Sequence, residues 1–375
     1  MIKFNQNNNI VNDNIIYLLY FFIVTSVTII LYGGLDDFIE FYKINADNRA
    51  YNSIFLKINS YFKNETIDIS NNIAIPGLGF LIFIFSKIFV SEFVYAYFIL
   101  MFISYIFTLN ILRILFNSSI SFLSLIFGWE FIMTSTTGGT EPVISLFLFL
   151  SIFFYKKNKN NFSYFFILLG TLVKPFVISV YGAYFFHKLL EKKYYEIFKF
   201  IIFTILTVII FFLFNYILYH DAYNIISMYH NEAWLQKDLN YNIPIIIFFD
   251  TMLNSTYKID HTLKVIFYIS LCIIPIFIGI FKKQYLNKEI NLYLFILICY
   301  FLIVFLYPSI WSYYEFVRFI SPVVPILIYL LYSEFELIKK LTKNFYLMFF
   351  LLILSSIFYS FANFGIKNIF KILIT

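Results

Sequence analysis

Twelve apolar runs, separated by short polar connections, dominate the chain: 15–32, 74–90, 93–112, 119–134, 141–155, 162–173, 175–186, 200–219, 263–281, 290–306, 318–335 and 345–362. Several approach the roughly 20 apolar residues that cross a bilayer as a helix. Across 375 residues, 61% are hydrophobic and 13% charged, with a mean hydropathy of +0.83. A soluble domain carries about 25% charged residues, so this much apolar surface needs lipid as its solvent. The expected fold class is all-α: a polytopic integral membrane protein forming a single domain over residues 1–375.

The connections set an orientation. Lys156-Lys157-Asn158-Lys159, residues 187–199, Lys282-Lys283 through Lys288, and Lys339-Lys340 through Lys343 are Lys-rich, as cytoplasmic anchors are. They account for the net charge of +6 without any basic stripe, so no nucleic-acid partner is expected. Residues 1–14 precede an apolar run with no small-x-small cleavage site, which reads as a retained anchor. Basic clusters flank 162–186 on both sides, so this stretch crosses twice or not at all, with Lys174-Pro175 dividing it. One long kinked helix is the alternative. Parity leaves one segment before residue 155 over; 74–90 or a neighbour re-enters or lies at the interface. About eleven transmembrane helices result.

Residues 33–73 and 220–262 then fall outside. Each carries aromatics at helical spacing, as in Tyr51, Phe55, Ile58 and Phe62, which predicts interfacial helices lying flat on the membrane. The first loop holds the acids Asp36, Asp37 and Asp47. A carboxylate near apolar walls at the outer surface suits a general base, whereas a solvated acidic loop is the plainer reading. Asp47 and Tyr51 share a face if the stretch is helical.

Glu141 follows the polar stretch Thr134–Thr140 and precedes Pro142, a position that also suits a helix N-terminus. Glu130 lies within a run, where an acid is a functional candidate. Lys174, at the break, is placed to neutralise an anionic head group. Only three of the 27 basic residues are arginines: Arg49, Arg113 and Arg318. Arg318 offers a fork for phosphate or carboxylate that Lys cannot copy, or pairs with Glu315. His220, His230 and His261, with Asp221 and Glu232, fit no familiar ligand set, and Cys272 and Cys299 form no cluster. Neither a metal nor another cofactor is expected.

Five pieces occur in an order that resembles the GT-C superfamily of integral-membrane glycosyltransferases: Asp47-Asn-Arg-Ala-Tyr51, Ile75-Pro76-Gly77-Leu78-Gly79, Gly139-Thr140-Glu141-Pro142, Gly170-Thr-Leu-Val-Lys174-Pro175, and Arg318-Phe-Ile-Ser-Pro322 with Pro325. The resemblance implies a polyprenyl-phosphate-linked sugar as donor and a lipid, glycan or protein as acceptor on the extracytoplasmic face. It implies a catalytic acid at Asp47, with Asp36 and Asp37 competing for the role. Tyr51 and Glu141 are substrate-binding candidates, and Lys174 and Arg318 would face the lipid phosphate. The family's paired acid is missing, since Asn48 follows Asp47. A transporter, flippase or polymerase of lipid-linked glycans is the alternative. Enrichment in Phe, Ile, Asn, Lys and Tyr suggests an AT-rich bacterial genome, hence a multi-pass protein of the bacterial cytoplasmic membrane whose partners are the lipid-linked donor, membrane lipids and an unidentified acceptor.

Overall fold

The computed structural model describes residues 5–44, 46–63, 75–90, 92–219, 222–223, 248–249, 252–253, 259–283, 287, 290–305, 315–344 and 347–355. Among them every regular element is helical: α1 (Asn5–Leu31), α2 (Leu35–Ile44), α3 (Ala46–Lys63), α4 (Pro76–Ile88), α5 (Phe93–Leu115), α6 (Ser118–Phe127), α7 (Trp129–Thr137), α8 (Glu141–Lys156), α9 (Asn160–Val173), α10 (Ser179–Leu190), α11 (Tyr194–Tyr219), α12 (Ile259–Phe281), α13 (Ile290–Phe305), α14 (Phe316–Ile320), α15 (Val324–Glu334) and α16 (Glu336–Lys343). Five helical stretches among the described residues are long and apolar enough to cross a membrane: Asn12–Leu31, Phe93–Leu115, Tyr194–Tyr219, Thr262–Phe281 and Phe316–Glu334. A sixth results if the bent pair α6 and α7 forms one span. The chain is a helical, multi-pass membrane protein.

The bundle has two chemically distinct ends, and α8 joins them. From Glu141 to Lys156 this helix rises about 24 Å. Around its C-terminus the Lys-rich connections are stitched together. Lys156 Nζ donates to Tyr293 OH at 3.3 Å, Asn160 Nδ2 donates to Glu196 Oε2 at 2.8 Å, and Lys282 pairs with Glu334. α8, α10 and α12 each stop there at a left-handed residue, Asn158, Lys192 and Lys283. At α8 and α10 the next amide closes back on the last turn, Lys159 N on Phe154 O and Lys193 N on Lys188 O, which satisfies terminal carbonyls and reverses the chain.

The other end gathers Gly33-Gly34, α2, α3 and the α7–α8 turn. α3 and α4 pack along each other, and α4 begins against the last turn of α9. A Cβ on Gly77 would come 2.2 Å from Leu172 O, so only glycine permits this approach. The far end of α4 returns to α3, where Lys87 Nζ donates to Asn59 Oδ1 at 3.1 Å. The thirteen residues of α4 span about 20 Å, shorter than a hydrocarbon core of about 30 Å.

The aromatic row of α3 departs from the expectation of a helix lying on the membrane. Tyr51, Ile54, Phe55 and Ile58 are buried in the bundle. Phe55 meets Phe83 of α4 and Phe93 of α5, with ring centroids 6.3 and 5.6 Å apart. Periodicity marks an apolar face, and here that face finds protein. The loop 220–262, with His220, His230, Asp221 and Glu232, lies almost wholly outside the described residues, as do 64–74 and the side chains of Phe62 and His261.

At Lys174 the chain leaves the helix. Its backbone is extended (φ −153°, ψ 121°), and Pro175–Ile178 forms one 3₁₀ turn before α10 starts. Hydroxyls then tie the helices on either side to α8. Ser151 Oγ bonds both Ser163 Oγ at 3.0 Å and Tyr184 OH at 2.8 Å. Between apolar helices in lipid, small residues and hydroxyl bonds supply association that water would otherwise drive.

Candidate functional site

The turn between α7 and α8 is built on Gly138 and Gly139. Gly138 has φ +89°, a conformation that side chains disfavour. Thr140 precedes α8, yet its hydroxyl does not cap the helix. It donates to Glu141 Oε1 at 3.1 Å. The Glu141 side chain is fully buried, and it reaches across the bundle.

Glu141 Oε1 accepts from Arg318 Nε at 2.7 Å and from Lys174 Nζ at 3.1 Å. Three remote elements therefore converge on one oxygen: the start of α8, the break after α9, and α14. Each residue is held there by its own local chemistry. Pro175 ends α9 so that Lys174 can turn inward. Lys174 Nζ also reaches Thr140 Oγ1 at 3.4 Å and lies 4.4 Å from the centroid of the Phe319 ring, a cation–π contact. Phe319 packs against Phe176 with centroids 4.8 Å apart. Arg318 bridges outward too, with Nη1 3.4 Å from Glu315 Oε2. Of the two sequence readings of Arg318, the pair with Glu315 is present, and the guanidinium also pairs with the carboxylate of Glu141. Glu130 stands within electrostatic reach of Arg318, Glu141, Glu315 and Lys264.

Two cations and a carboxylate withdrawn from water cost several kcal/mol per ion before their attraction is counted. Moreover, Glu141 Oε2 is buried with no hydrogen-bond partner among the described residues. It lies over Gly139, where a Cβ would come within 2.7 Å of it. A fold that keeps such a group is retaining charge where apolar packing would be cheaper.

The first-loop helices reach this turn through Asn48. Its Nδ2 donates to Tyr42 O at 2.8 Å and to Thr137 O at 3.0 Å, joining α2, α3 and the end of α7. Tyr97 OH of α5 donates to Gly139 O at 3.4 Å, and Tyr51 meets the Tyr97 ring edge-on at 6.2 Å. Asp47 occupies the first turn of α3, one residue before Asn48, and its side chain lies outside the described residues. Asp36 and Asp37 sit in the exposed first turn of α2 and form no hydrogen bond with the cluster.

Glu141, Lys174 and Arg318 are therefore in contact, Tyr51 borders the same turn, and Asp47 is next to the residue that clamps it. Asn48, Tyr97, Thr140 and Phe319 escaped sequence reasoning. Only the twin glycines signalled that a turn of special geometry stood here. Among the described residues no three His, Cys, Asp or Glu side chains group closely enough to hold a metal ion. What the cluster offers chemically is an ammonium and a guanidinium presented together in a water-poor setting, the donor set that suits phosphate oxygens.

Fold and site together define a multi-pass helical membrane protein with a buried ion cluster at the end opposite its Lys-rich connections. Comparison with family models, curated proteins and solved structures finds no match.

Proposed function

We propose that the protein is a membrane glycosyltransferase that moves a sugar from a polyprenyl-phosphate donor to a lipid, glycan or protein acceptor on the extracytoplasmic face. The observation that carries the reading is the junction of Lys174 and Arg318 on Glu141 at the end of the bundle away from the Lys-rich connections. By the positive-inside rule those connections are cytoplasmic, which puts the cluster on the outer side. Counting α6 and α7 as one span and α4 as remaining at the outer end gives about eleven crossings.

In this reading the donor enters from lipid and its phosphate meets Lys174 and Arg318. Negative charge grows on that phosphate as the anomeric bond breaks, so fixed cations favour the transition state over the bound donor. Glu141 holds both cations in place before the donor arrives. Asp47, beside the Asn48 clamp, would accept the proton of the acceptor hydroxyl. The chain is then an enzyme of a bacterial cytoplasmic membrane.

The test is release of free polyprenyl phosphate from a panel of undecaprenyl- and dolichyl-phosphate sugars by the protein in lipid nanodiscs, with a membrane extract supplying acceptors. Arg318→Lys and Asp47→Asn should each slow release by about 100-fold or more. Asp36→Asn and Asp37→Asn should leave it near wild type. Wild-type rates for Arg318→Lys and Asp47→Asn would end the proposal.

One observation favours a second reading. The α9–α10 break and the 3₁₀ turn Ser321–Val323 between α14 and α15 are neighbours, joined through Phe176 and Phe319. Paired helix breaks around charged groups also suit a transporter of lipid-linked glycans. Movement of labelled donor between leaflets without release of polyprenyl phosphate would decide for it.

A further inference from the structure

At the Lys-rich end a cavity of about 250 Å³ opens between α1, α6, α16 and the helical residues 347–355. Its lining divides by chemistry. Ile16, Phe122, Met348, Phe349 and Leu352 supply apolar side chains, while Ser119, Thr342 and Lys343 supply polar ones, the Thr342 hydroxyl already donating to Lys339 O at 3.0 Å. Ser118 also borders it, but donates its hydroxyl proton to Asp13 Oδ2 at 2.6 Å. Asp13 lies 3.8 Å from Arg113 Nη1, so this nearby carboxylate is already paired.

The helix that closes the cavity points to the occupant. α16 carries Lys339, Lys340 and Lys343 against one acid, Glu336, which takes Lys339 Nζ at 2.9 Å. Phe335 and Leu337 are exposed beside these lysines. A short basic helix with apolar side chains exposed beside it, following a span, belongs at the level of lipid head groups, where anionic lipids attract it. The cavity is too small for a whole lipid and suits a head group with the first part of its chains.

We propose that this cavity is a binding site for an anionic phospholipid. Lys343 and Ser119 take the phosphodiester, and Ile16, Phe122 and Leu352 line the start of the acyl chains. The site is distinct from the Glu141 cluster and does not depend on the reading of that cluster.

Native mass spectrometry of the full chain in a neutral detergent tests this, with phosphatidylglycerol, phosphatidylcholine and glycerol 1-phosphate as probes. Phosphatidylglycerol should bind about ten-fold more tightly than phosphatidylcholine, and Lys343→Ala should weaken it by about five-fold. Leu352→Trp, which fills the apolar side, should also weaken it. Lys339→Ala, which unpairs Glu336 outside the cavity, should change binding by less than about two-fold. Equal binding of the two lipids, or unchanged phosphatidylglycerol binding in both Lys343→Ala and Leu352→Trp, would overturn the site. Equally tight binding of glycerol 1-phosphate would assign it to a free phosphate ester and overturn the lipid.

Discussion

Glu141 Oε1 lies 2.7 Å from Arg318 Nε although 177 positions of sequence separate the two residues. Lys174 Nζ reaches the same oxygen at 3.1 Å. Removing one member of a buried ion group leaves the others uncompensated and typically costs about 3–5 kcal/mol. Glu141→Gln should therefore be the worst single change, because both cations then lack their shared partner. Lys174→Met should cost less, since Arg318 still neutralises Glu141. The double variant should cost less than the sum of the two, by about 0.5–3 kcal/mol. Reversible unfolding in mixed detergent micelles measures all four corners of this cycle. A coupling of zero would show that the Glu141–Lys174 contact carries no energy.

Much of this cluster is legible in the sequence, and the reasons are particular. Arg318 stands out because arginine is scarce among the basic residues. Lys174 does so because Lys-Pro interrupts an apolar stretch, and Glu141 because Gly-Gly-Thr-Glu-Pro marks a turn feeding a helix. Asn48 is not legible. It is one asparagine in an asparagine-rich chain, and one of its acceptors, Thr137 O, is 89 positions away. α4 is legible only in part: parity allows 74–90 to stop short of a crossing without singling it out from its neighbours, and the run forms a helix of only 13 residues. Gly77 and the contacts with α3 set that boundary, and both depend on the tertiary structure.

Three glycines separate close approach from ordinary packing. A Cβ on Gly77 would meet the Leu172 backbone at 2.2 Å, and one on Gly138, already at φ +89°, would meet Asn48 Oδ1 at 2.6 Å. Gly182, inside α10, would meet only Cys299 Sγ at 3.6 Å. Gly77→Ala and Gly138→Ala should each destabilise by about 1–3 kcal/mol. Gly182→Ala should be neutral or stabilise by up to about 1 kcal/mol, since alanine favours a helix interior. Thermal unfolding of the three variants ranks them. Equal behaviour would mean that α4 and the α7–α8 turn can shift to make room.

Asn48→Asp would place a second acid directly after Asp47. The structure opposes it. Asn48 Nδ2 donates to two carbonyl oxygens, and a carboxylate there would face Tyr42 O and Thr137 O with no proton to offer. An uncompensated buried charge beside two acceptors should cost about 3 kcal/mol or more. The expected result is a lower melting temperature. A variant as stable as wild type would show that Asn48 is not the clamp between α2, α3 and α7.

The connection between α10 and α11 gives a pH response at the Lys-rich end. Burial alone would push the Glu191 carboxyl up, but hydrogen bonds from Lys193 and Lys188, with the charges of Lys188 and His187, outweigh it and hold the group below its ordinary 4.5. Lys188 Nζ and Lys193 Nζ each lie 3.1 Å from Glu191 Oε2. A folded-state value below the unfolded one means that the unfolded chain takes up the proton first. The contribution is therefore complete above about pH 5 and fades as the pH falls through 4.5 towards the depressed folded value. For a partly exposed pair it should reach only about 1 kcal/mol. Glu191→Gln should lower stability by that amount at pH 7 and by much less at pH 3, narrowing the gap to wild type as acid is added. Thermal unfolding of both proteins across this range reads the difference directly. A gap that stays constant from pH 7 to pH 3 would mean that the three side chains are held by packing, with charge contributing nothing.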